Sequence, residues 1–197
     1  MDYDFIEIGT SDFRTLIEKT NNQVGLSIEP LKLYLDNLPN KPNVKKINAA
    51  ISDFDGEIDI YYVKPSDIIK YNLPYWVRGC NSINDTHPSI VKILGDKHGD
   101  IITVDKVNVF SWSTLIKKYD INTVKTLKID TEGHDYIILK EFYKHLIIND
   151  NLKPKKIIFE NNILSNKEKI NELIVDYRKI GYTGNQKGDD YIFNLNF

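Results

Sequence analysis

FIEIGTSDF, residues 5–13, carries an apolar run into an acid, a glycine and then small polar residues. This order is typical of a β-strand that delivers a loop to a ligand at its carboxyl end. Gly9 lets the backbone approach that ligand closely, and the N-terminus of the helix predicted next offers amide donors. The stretch therefore predicts the first strand and the binding loop of a parallel α/β sheet.

The same loop argues against a dinucleotide. The pattern G-x-G-x-x-G is absent, because Ser11 and Arg14 stand where its later glycines would be. Acids at Glu7 and Asp12 would also repel a pyrophosphate, whereas they suit a ligand with a positive charge. We therefore expect a cationic ligand at this loop.

Composition limits the partners and the compartment. The 197 residues suffice for one well-packed core, so we expect residues 1–197 to form a single domain. A formal net charge of -2 gives no overall basic surface, and nucleic acid is not an expected partner. The single cysteine, Cys80, favours a reducing compartment. Without a membrane-length apolar run or the basic start of a signal peptide, we expect a soluble, cytoplasmic protein with no membrane partner.

Short apolar runs alternate with helical patterns along the chain, which is typical of crossovers between parallel strands. The predicted strands are 3–8, 24–28, 44–50, 57–63, 126–129, 155–159 and 191–197. The predicted helices are 11–19, 31–37, 113–119, 134–147 and 167–180. The last segment, after Gly184 and Gly188, predicts an antiparallel hairpin at one edge of the sheet.

Residues 72–100 interrupt this alternation. They concentrate Pro, Gly, Asn, Trp and His with little periodicity, as a loop-rich lid or acceptor-binding insertion would. Aromatic faces beside amides and hydroxyls suit a carbohydrate, and Arg78 could meet the phosphate of a nucleotide-sugar. The alternative is a surface insertion with one buried tryptophan. The predicted acceptor contacts in this segment are Trp76, Arg78, Asn81, Ser82 and His87.

Residues at the next strand ends suggest an adenosine. Glu29 lies 20 residues beyond Gly9, where an acid accepts hydrogen bonds from both ribose hydroxyls, and Pro30 can start the next helix. The alternative is that Glu29 only caps that helix. Small residues in NAAISDFDGE leave room for a flat ring, and Ser52 or Asp53 could meet the edge of an adenine. An adenosine, a positive centre and an amino-acid end together describe S-adenosylmethionine.

Six segments, in order, resemble the FkbM family of S-adenosylmethionine-dependent methyltransferases: FIEIGTSDF, GLSIEP, INAAISDFDGE, VFSWSTLIKKY, TLKIDTEGHDYIIL and IIFENN. The resemblance implies a class I methyltransferase, Rossmann-like α/β fold. Its sheet would have seven mostly parallel strands, helices on both faces and a C-terminal antiparallel hairpin. It also implies O-methylation of a hydroxyl, usually on a sugar or a polyketide-type compound, so we expect a free, nucleotide-linked or glycan sugar as acceptor.

Two features depart from the family pattern. The glycine loop reads GTSDF where many relatives have a second glycine, and the sequence has almost no N-terminal extension, which relatives often place over the cofactor. We therefore expect residues 72–100 or a second subunit to cover the cofactor, which makes a homodimer a possible partner.

The resemblance also implies which residues hold the cofactor. The loop after the first strand would hold the methionine part, Glu29 the ribose, and residues 50–52 the adenine, with Asp130 where cofactor and acceptor meet. The implied cofactor residues are Glu7, Gly9, Thr10, Ser11, Asp12, Glu29, Pro30, Ala50, Ile51, Ser52 and Asp130.

A hydroxyl acceptor needs a base or a metal ion. His134 is the first candidate base, because the start of a helix would lower its pKa and keep it neutral. The alternative is that His134 only occupies the first turn of this helix, while Glu132 caps or stabilises the helix N-terminus. The candidate catalytic residues are His134, Asp130 and Glu160.

Hard oxygen ligands at the same strand ends suggest Mg²⁺. Asp130, Glu160 and Asn161 could bind it, and Mg²⁺ would then hold two neighbouring acceptor hydroxyls. Alternatively, Glu160 and Asn161 bind a sugar directly. Two other functions stay open: a binding module of the same fold without turnover, and an RNA methyltransferase, which the lack of basic charge disfavours.

Overall fold

A twisted sheet runs through the centre of the protein, as seen in a computed structural model that describes residues 1–12, 15–95 and 98–196. The strands in these residues are β1 (Asp2–Ile8), β2 (Gly25–Ile28), β3 (Val44–Ile47), β4 (Ala50–Ser52), β5 (Gly56–Val63), β6 (Ile102–Ser111), β7 (Thr123–Ile129), β8 (Lys156–Glu160), β9 (Tyr182–Lys187) and β10 (Asp190–Leu195). The helices are α1 (Leu16–Lys19), α2 (Lys32–Asn37), α3 (Pro65–Lys70), α4 (Pro88–Leu94), α5 (His98–Ile101), α6 (Trp112–Tyr119), α7 (Asp135–Leu146) and α8 (Lys167–Lys179).

The central sheet has the strand order β3-β2-β1-β7-β8-β10-β9. Neighbours from β3 to β8 pair in parallel, and β10 runs antiparallel to both β8 and β9. This arrangement confirms the predicted α/β fold, with a seven-stranded, mostly parallel sheet and a C-terminal antiparallel hairpin. The order reverses between β1 and β7, which is where ligands bind in open α/β sheets.

Helices cover both faces of this sheet. Ile6 and Ile8 of β1 belong to the largest apolar cluster, together with side chains of α6, α7 and α8. Phe5 instead packs in a separate cluster with Ile17 of α1 and Leu35 of α2. Successive strand residues point to opposite faces, so the alternation in β1 matches helices on both sides.

Trp112 is the large buried side chain of the main cluster. Its ring stacks on Phe142 with centroids 4.2 Å apart, and its Nε1 donates to the carbonyl oxygen of Ile138 at 2.9 Å. Trp76, in contrast, is 49% exposed. The alternative in which residues 72–100 contribute a buried tryptophan is therefore wrong.

A second, three-stranded sheet has the order β4-β6-β5. The predicted strand 44–50 is thus two strands in two sheets, and the predicted strand 57–63 pairs antiparallel with β6 outside the central sheet. The prediction missed β6 altogether. Asp105 and Lys106 interrupt its apolar pattern, and it pairs with β5 across an intervening segment, so local sequence carries little signal for it.

The first helix begins later than predicted. Thr15 and Glu18 form a capping box that starts α1 at Leu16, and Ser11 has a positive φ of 44°, which is incompatible with the predicted helix 11–19. Phe13, the last residue of the quoted stretch, and Arg14, which follows it, lie outside the described residues. So do Asp96 and Lys97 of the predicted insertion and Phe197 of the last predicted strand.

Residues 72–95, which we call the lid, are more regular than expected. They contain a 3-10 helix at Tyr75–Gly79 and the helix α4. Backbone bonds between Tyr61 and Ser82 attach the lid to β5. In the described part of the chain, no helix is long and apolar enough to cross a membrane.

Candidate functional site

A cavity of about 450 Å³ lies at the carboxyl ends of β1, β2, β7 and β8. Small-molecule sites in proteins have roughly this size, about 300–1,000 Å³. The glycine loop, the residues after β2 and β3, the acids after β7 and β8, and the lid all contribute to its wall. The cavity therefore lies at the place that the sheet topology favours for a ligand.

The glycine loop packs directly on the end of β7. Gly9 has a φ of 75°, and a Cβ atom there would lie only 1.9 Å from the carbonyl oxygen of Asp130. Only glycine fits this position, because both the backbone conformation and the space exclude a side chain. Gly9, Thr10 and Ser11 of the predicted cofactor set all line the cavity.

Glu29 joins this loop to the end of β2. Its Oε2 accepts a hydrogen bond from the Ser11 amide at 2.7 Å, and its Oε1 accepts one from the Leu31 amide at 2.9 Å. The second bond lies at the start of α2, so Glu29 also has the capping contact that was its alternative role. A carboxylate has about four acceptor positions, which leaves capacity for ribose hydroxyls. Burial raises the pKa of Glu29 to about 7, although the amides oppose this shift.

Two acids predicted to hold the cofactor lie outside the described cavity wall. Glu7 is fully buried; its Oε2 accepts from the Leu16 amide at 2.8 Å and its Oε1 pairs with Lys128 at 3.0 Å. Asp12 pairs with the guanidinium of Arg78 and accepts from Asn37. These placements correct the expectation that both acids face the ligand, because other protein groups occupy their oxygens.

Small residues form the wall after β2 and β3. Pro30, Ala50 and Ile51 line the cavity, and so does Ala49, which the predicted set omitted although the sequence NAA contains it. Ser52 does not line the described wall. It is buried, with its hydroxyl 2.9 Å from Nε2 of His134 and 3.1 Å from Asp53.

Three acids meet at the ends of β7 and β8. Oxygens of Asp130, Glu132 and Glu160 lie within 4.8 Å of one another, and all three side chains line the cavity. Burial raises the pKa of Asp130 to about 7, against the effect of Lys128. Burial, followed by the charges of Glu132 and Asp130, raises the pKa of Glu160 to about 9.

The predicted metal ligands are only partly brought together. Asn161 lies outside the described wall, and its side-chain Nδ2 donates to Oε1 of Gln186 at 2.7 Å. Glu132 takes the third position instead. Its φ of 51° and that of Gly133, 96°, turn the backbone back at the strand end. Gly133, four residues after the end of β7, is the sequence signal for this turn, because glycine readily adopts a positive φ.

Asp135 holds the acidic strand ends together from behind. One of its oxygens accepts from the amide and hydroxyl of Thr131 at 3.2 and 2.7 Å, and the other accepts from the Glu160 amide at 3.0 Å. Regular pairing of β7 with β8 ends at Ile129 and Phe159, so this carboxylate replaces the missing strand contact.

His134 lines the cavity just before α7, yet both its ring nitrogens have partners. Nδ1 lies 3.3 Å from the side-chain oxygen of Asn84, and Nε2 lies 2.9 Å from the Ser52 hydroxyl. With Nδ1 protonated toward Asn84, the basic nitrogen faces Ser52. Burial lowers the pKa of His134, and Asp53 opposes that shift. The lowered pKa agrees with the expectation, although its main cause is burial rather than the helix N-terminus.

The lid contributes three of its five predicted acceptor residues, Trp76, Asn81 and His87, to the wall. His87 accepts from the Ser89 amide through Nδ1, so Nε2 carries the proton and donates to Glu132 at 3.1 Å. Arg78 lies behind the wall with Asp12, and Ser82 accepts from the Asn84 amide. The prediction also missed Asp189, which lines the cavity from the turn between β9 and β10.

The comparison with known families agrees with this geometry. A model of the methyltransferase FkbM domain matches residues 7–180, which include the strand ends described above. No curated protein matches the chain. The chain belongs to the FkbM methyltransferase family.

Proposed function

We propose that this methyltransferase uses S-adenosylmethionine to methylate a hydroxyl of a small molecule, namely a sugar. One observation carries the proposal: the Glu29 and glycine-loop side and the Asp130 and Glu160 side belong to the same cavity. The first side offers acceptors for a ribose and space beside a glycine, and the second offers groups that can bind or deprotonate a hydroxyl. A donor and an acceptor could thus meet in one site.

Charge narrows the class of acceptor. The wall carries five carboxylate side chains, and neither Lys nor Arg is among the wall residues that the structure describes. The five carboxylates belong to Glu29, Asp130, Glu132, Glu160 and Asp189. Such a wall disfavours a phosphate close to the reacting hydroxyl. It therefore favours a free sugar or a glycan over a nucleotide-sugar, and the half-exposed ring of Trp76 suits the apolar face of a sugar.

S-Adenosylmethionine, when bound, supplies a methyl group that its sulfonium already activates. The protein must align the acceptor and take up its proton. Asp130, whose pKa is about 7, can accept that proton near neutral pH. Glu160, with a pKa of about 9, is protonated near neutral pH, so it can donate a hydrogen bond to the acceptor instead. His134 also lines the cavity, but its Nε2 lies 2.9 Å from the Ser52 hydroxyl, which is buried behind the wall, so Asp130 is the better placed base.

The acidic group also fits a divalent cation, which would bind two neighbouring hydroxyls and lower the pKa of one. The residues that would hold it are Asp130, Glu132 and Glu160, since carboxylate oxygens are the ligands that Mg²⁺ prefers. Oε2 of Glu160 is buried without a hydrogen-bond partner among the described residues, which leaves this oxygen available to a cation. We therefore include Mg²⁺ in the proposal, with Glu132 in place of Asn161.

Calorimetric titration with S-adenosylmethionine and S-adenosylhomocysteine tests the cofactor. Both should bind, and Glu29→Ala should abolish binding while the exposed Glu57→Ala does not. Sugars and oligosaccharides are then screened with and without Mg²⁺, and methylated products are detected by mass spectrometry. Cofactor binding without turnover of any acceptor would support a binding module, and salt-sensitive binding of RNA would support an RNA methyltransferase. No cofactor binding by the intact protein would overturn the proposal.

A further inference from the structure

The lid shares an apolar cluster with the elements beside it. The lid contributes Val77, Cys80 and Ile90, and β5, α3 and α5 contribute Val63, Ile68 and Ile101; this cluster is separate from the main core of the central sheet. Apolar packing thus holds the lid to these neighbours, whereas its contacts with the cavity loops are polar and can open while the cluster stays intact. The contacts that join the lid to the cavity loops are therefore the ones that decide whether the site opens.

Arg78 makes the contact between the lid and the glycine loop. Its guanidinium pairs with the carboxylate of Asp12, and only 14% and 6% of the two side chains are exposed. The guanidinium carbon also lies 4.5 Å from the centre of the Tyr75 ring. Removing one partner of a buried ion pair is costly, because the remaining charge stays buried without compensation.

The backbone of the same residue strengthens this contact. The carbonyl oxygen of Arg78 accepts from the Ser11 hydroxyl at 3.4 Å and from the side-chain Nδ2 of Asn81 at 2.9 Å. Ser11 in turn donates its amide to Glu29. Ser11, Gly79 and Cys80 are neighbours of the pair, and all three line the cavity. The ion pair thus lies directly behind the wall, where the lid meets the loop proposed to hold the cofactor.

We propose that the Asp12–Arg78 ion pair is a latch that closes the lid over the cofactor, and that cofactor enters and leaves only when this pair opens. The inference rests on the proposed function, since it takes S-adenosylmethionine as the ligand. Arg78 is then a positioning residue: it acts through Asp12 and the loop, without itself lining the described cavity wall.

Stopped-flow binding of S-adenosylhomocysteine, followed by the fluorescence of Trp76, tests the latch. Arg78→Met keeps the length of the side chain and removes its charge, and should raise both the association and the dissociation rate constants by about 10-fold, with a smaller change in Kd. Arg78→Lys should restore most of the wild-type rates. Lys92→Met, an exposed lysine of the same lid, is the matched control and should leave both rates unchanged.

The association rate separates the latch from a merely structural role. A weakened site raises dissociation alone, so faster dissociation of Arg78→Met with unchanged association would overturn the latch while the proposed cofactor stands. Absence of binding in the wild-type protein would overturn both. Should Arg78→Met fail to fold, Asp12→Asn opens the pair from the other side and must show the same two accelerations.

Discussion

The Ser11 amide donates to Oε2 of Glu29 at 2.7 Å, and this bond joins the carboxyl ends of the first two parallel strands. The glycine loop and the acid that lines the cavity after the second strand are therefore one hydrogen-bonded unit. A change at either residue should disturb both the fold of the loop and the binding of cofactor.

Replacing Gly9 should be the most damaging single change at this junction. Gly9→Ala places a Cβ against the Asp130 carbonyl and forces a positive φ on a non-glycine residue, at a combined cost of about 2–5 kcal/mol. Denaturant unfolding should show this loss, and cofactor binding should disappear. Gly188→Ala has a similar φ of 64° but meets no atom within 4 Å, so it should cost only the conformational strain. Equal losses in the two variants would contradict the role given to close packing.

Stability should fall as the pH rises through the neutral range. Glu160 has a pKa of about 9 in the folded protein against an ordinary value of 4.5, so the folded state holds a proton that the unfolded chain has released. An acid whose pKa is raised on folding stabilises the fold fully at a pH below its pKa in the unfolded chain. This stabilisation is lost as the pH rises toward its pKa in the folded protein. The free energy of unfolding, measured in urea, should decrease between about pH 5 and pH 9.

Glu160→Gln isolates this effect, because the amide is neutral throughout. The slope of stability against pH should flatten in this variant, most clearly above pH 7, where Glu29 and Asp130 have largely titrated. The exposed Glu57→Gln is its control and should keep the wild-type slope. A wild-type protein that grows more stable from pH 5 to 9 would show that the acids are not held protonated.

Divalent cations should stabilise the protein through the acidic group. Addition of Mg²⁺ or Mn²⁺ should raise the thermal midpoint of the wild-type protein, since a cation compensates three neighbouring carboxylates. The increase should vanish in Glu132→Gln and Glu160→Gln. Asn161→Ala should retain it, because that amide binds Gln186. The reverse pattern, with Asn161 required and Glu132 dispensable, would restore the ligand set expected from sequence.

The pH dependence of methyl transfer should identify the base. With Asp130 as the base, the rate should rise with pH around pH 7, and Asp130→Asn should lower it by about 100-fold or more while cofactor binding persists. With His134 as the base, the limb should lie below pH 6.5, because burial lowers its pKa. In that case His134→Asn, rather than Asp130→Asn, should remove the limb. The measurement uses the acceptor identified in the sugar screen.

Local patterns carried much of the architecture. Apolar runs that end in an acid or a glycine, such as FIEIG and LKIDTEG, predict buried parallel strands. Such strands are apolar because they lie between two layers of helices. The alternation of these runs with helical patterns was enough to predict the α/β class, and the spacing of Glu29 from Gly9 was enough to propose a ribose. The strand β6 was not predicted because its antiparallel partner, β5, is distant in sequence.

The chemistry of individual side chains depended on contacts that no local pattern contains. By itself, the sequence determined that acids stand at or just beyond the ends of β1, β2, β7 and β8, since residue type and the position of a strand along the chain are local properties. Only the tertiary structure decided which of these acids face the cavity. Glu7 and Asp12 are paired with Lys128 and Arg78, whereas Glu132 joins Asp130 and Glu160, because partners brought together by folding set the direction and the charge of each carboxylate.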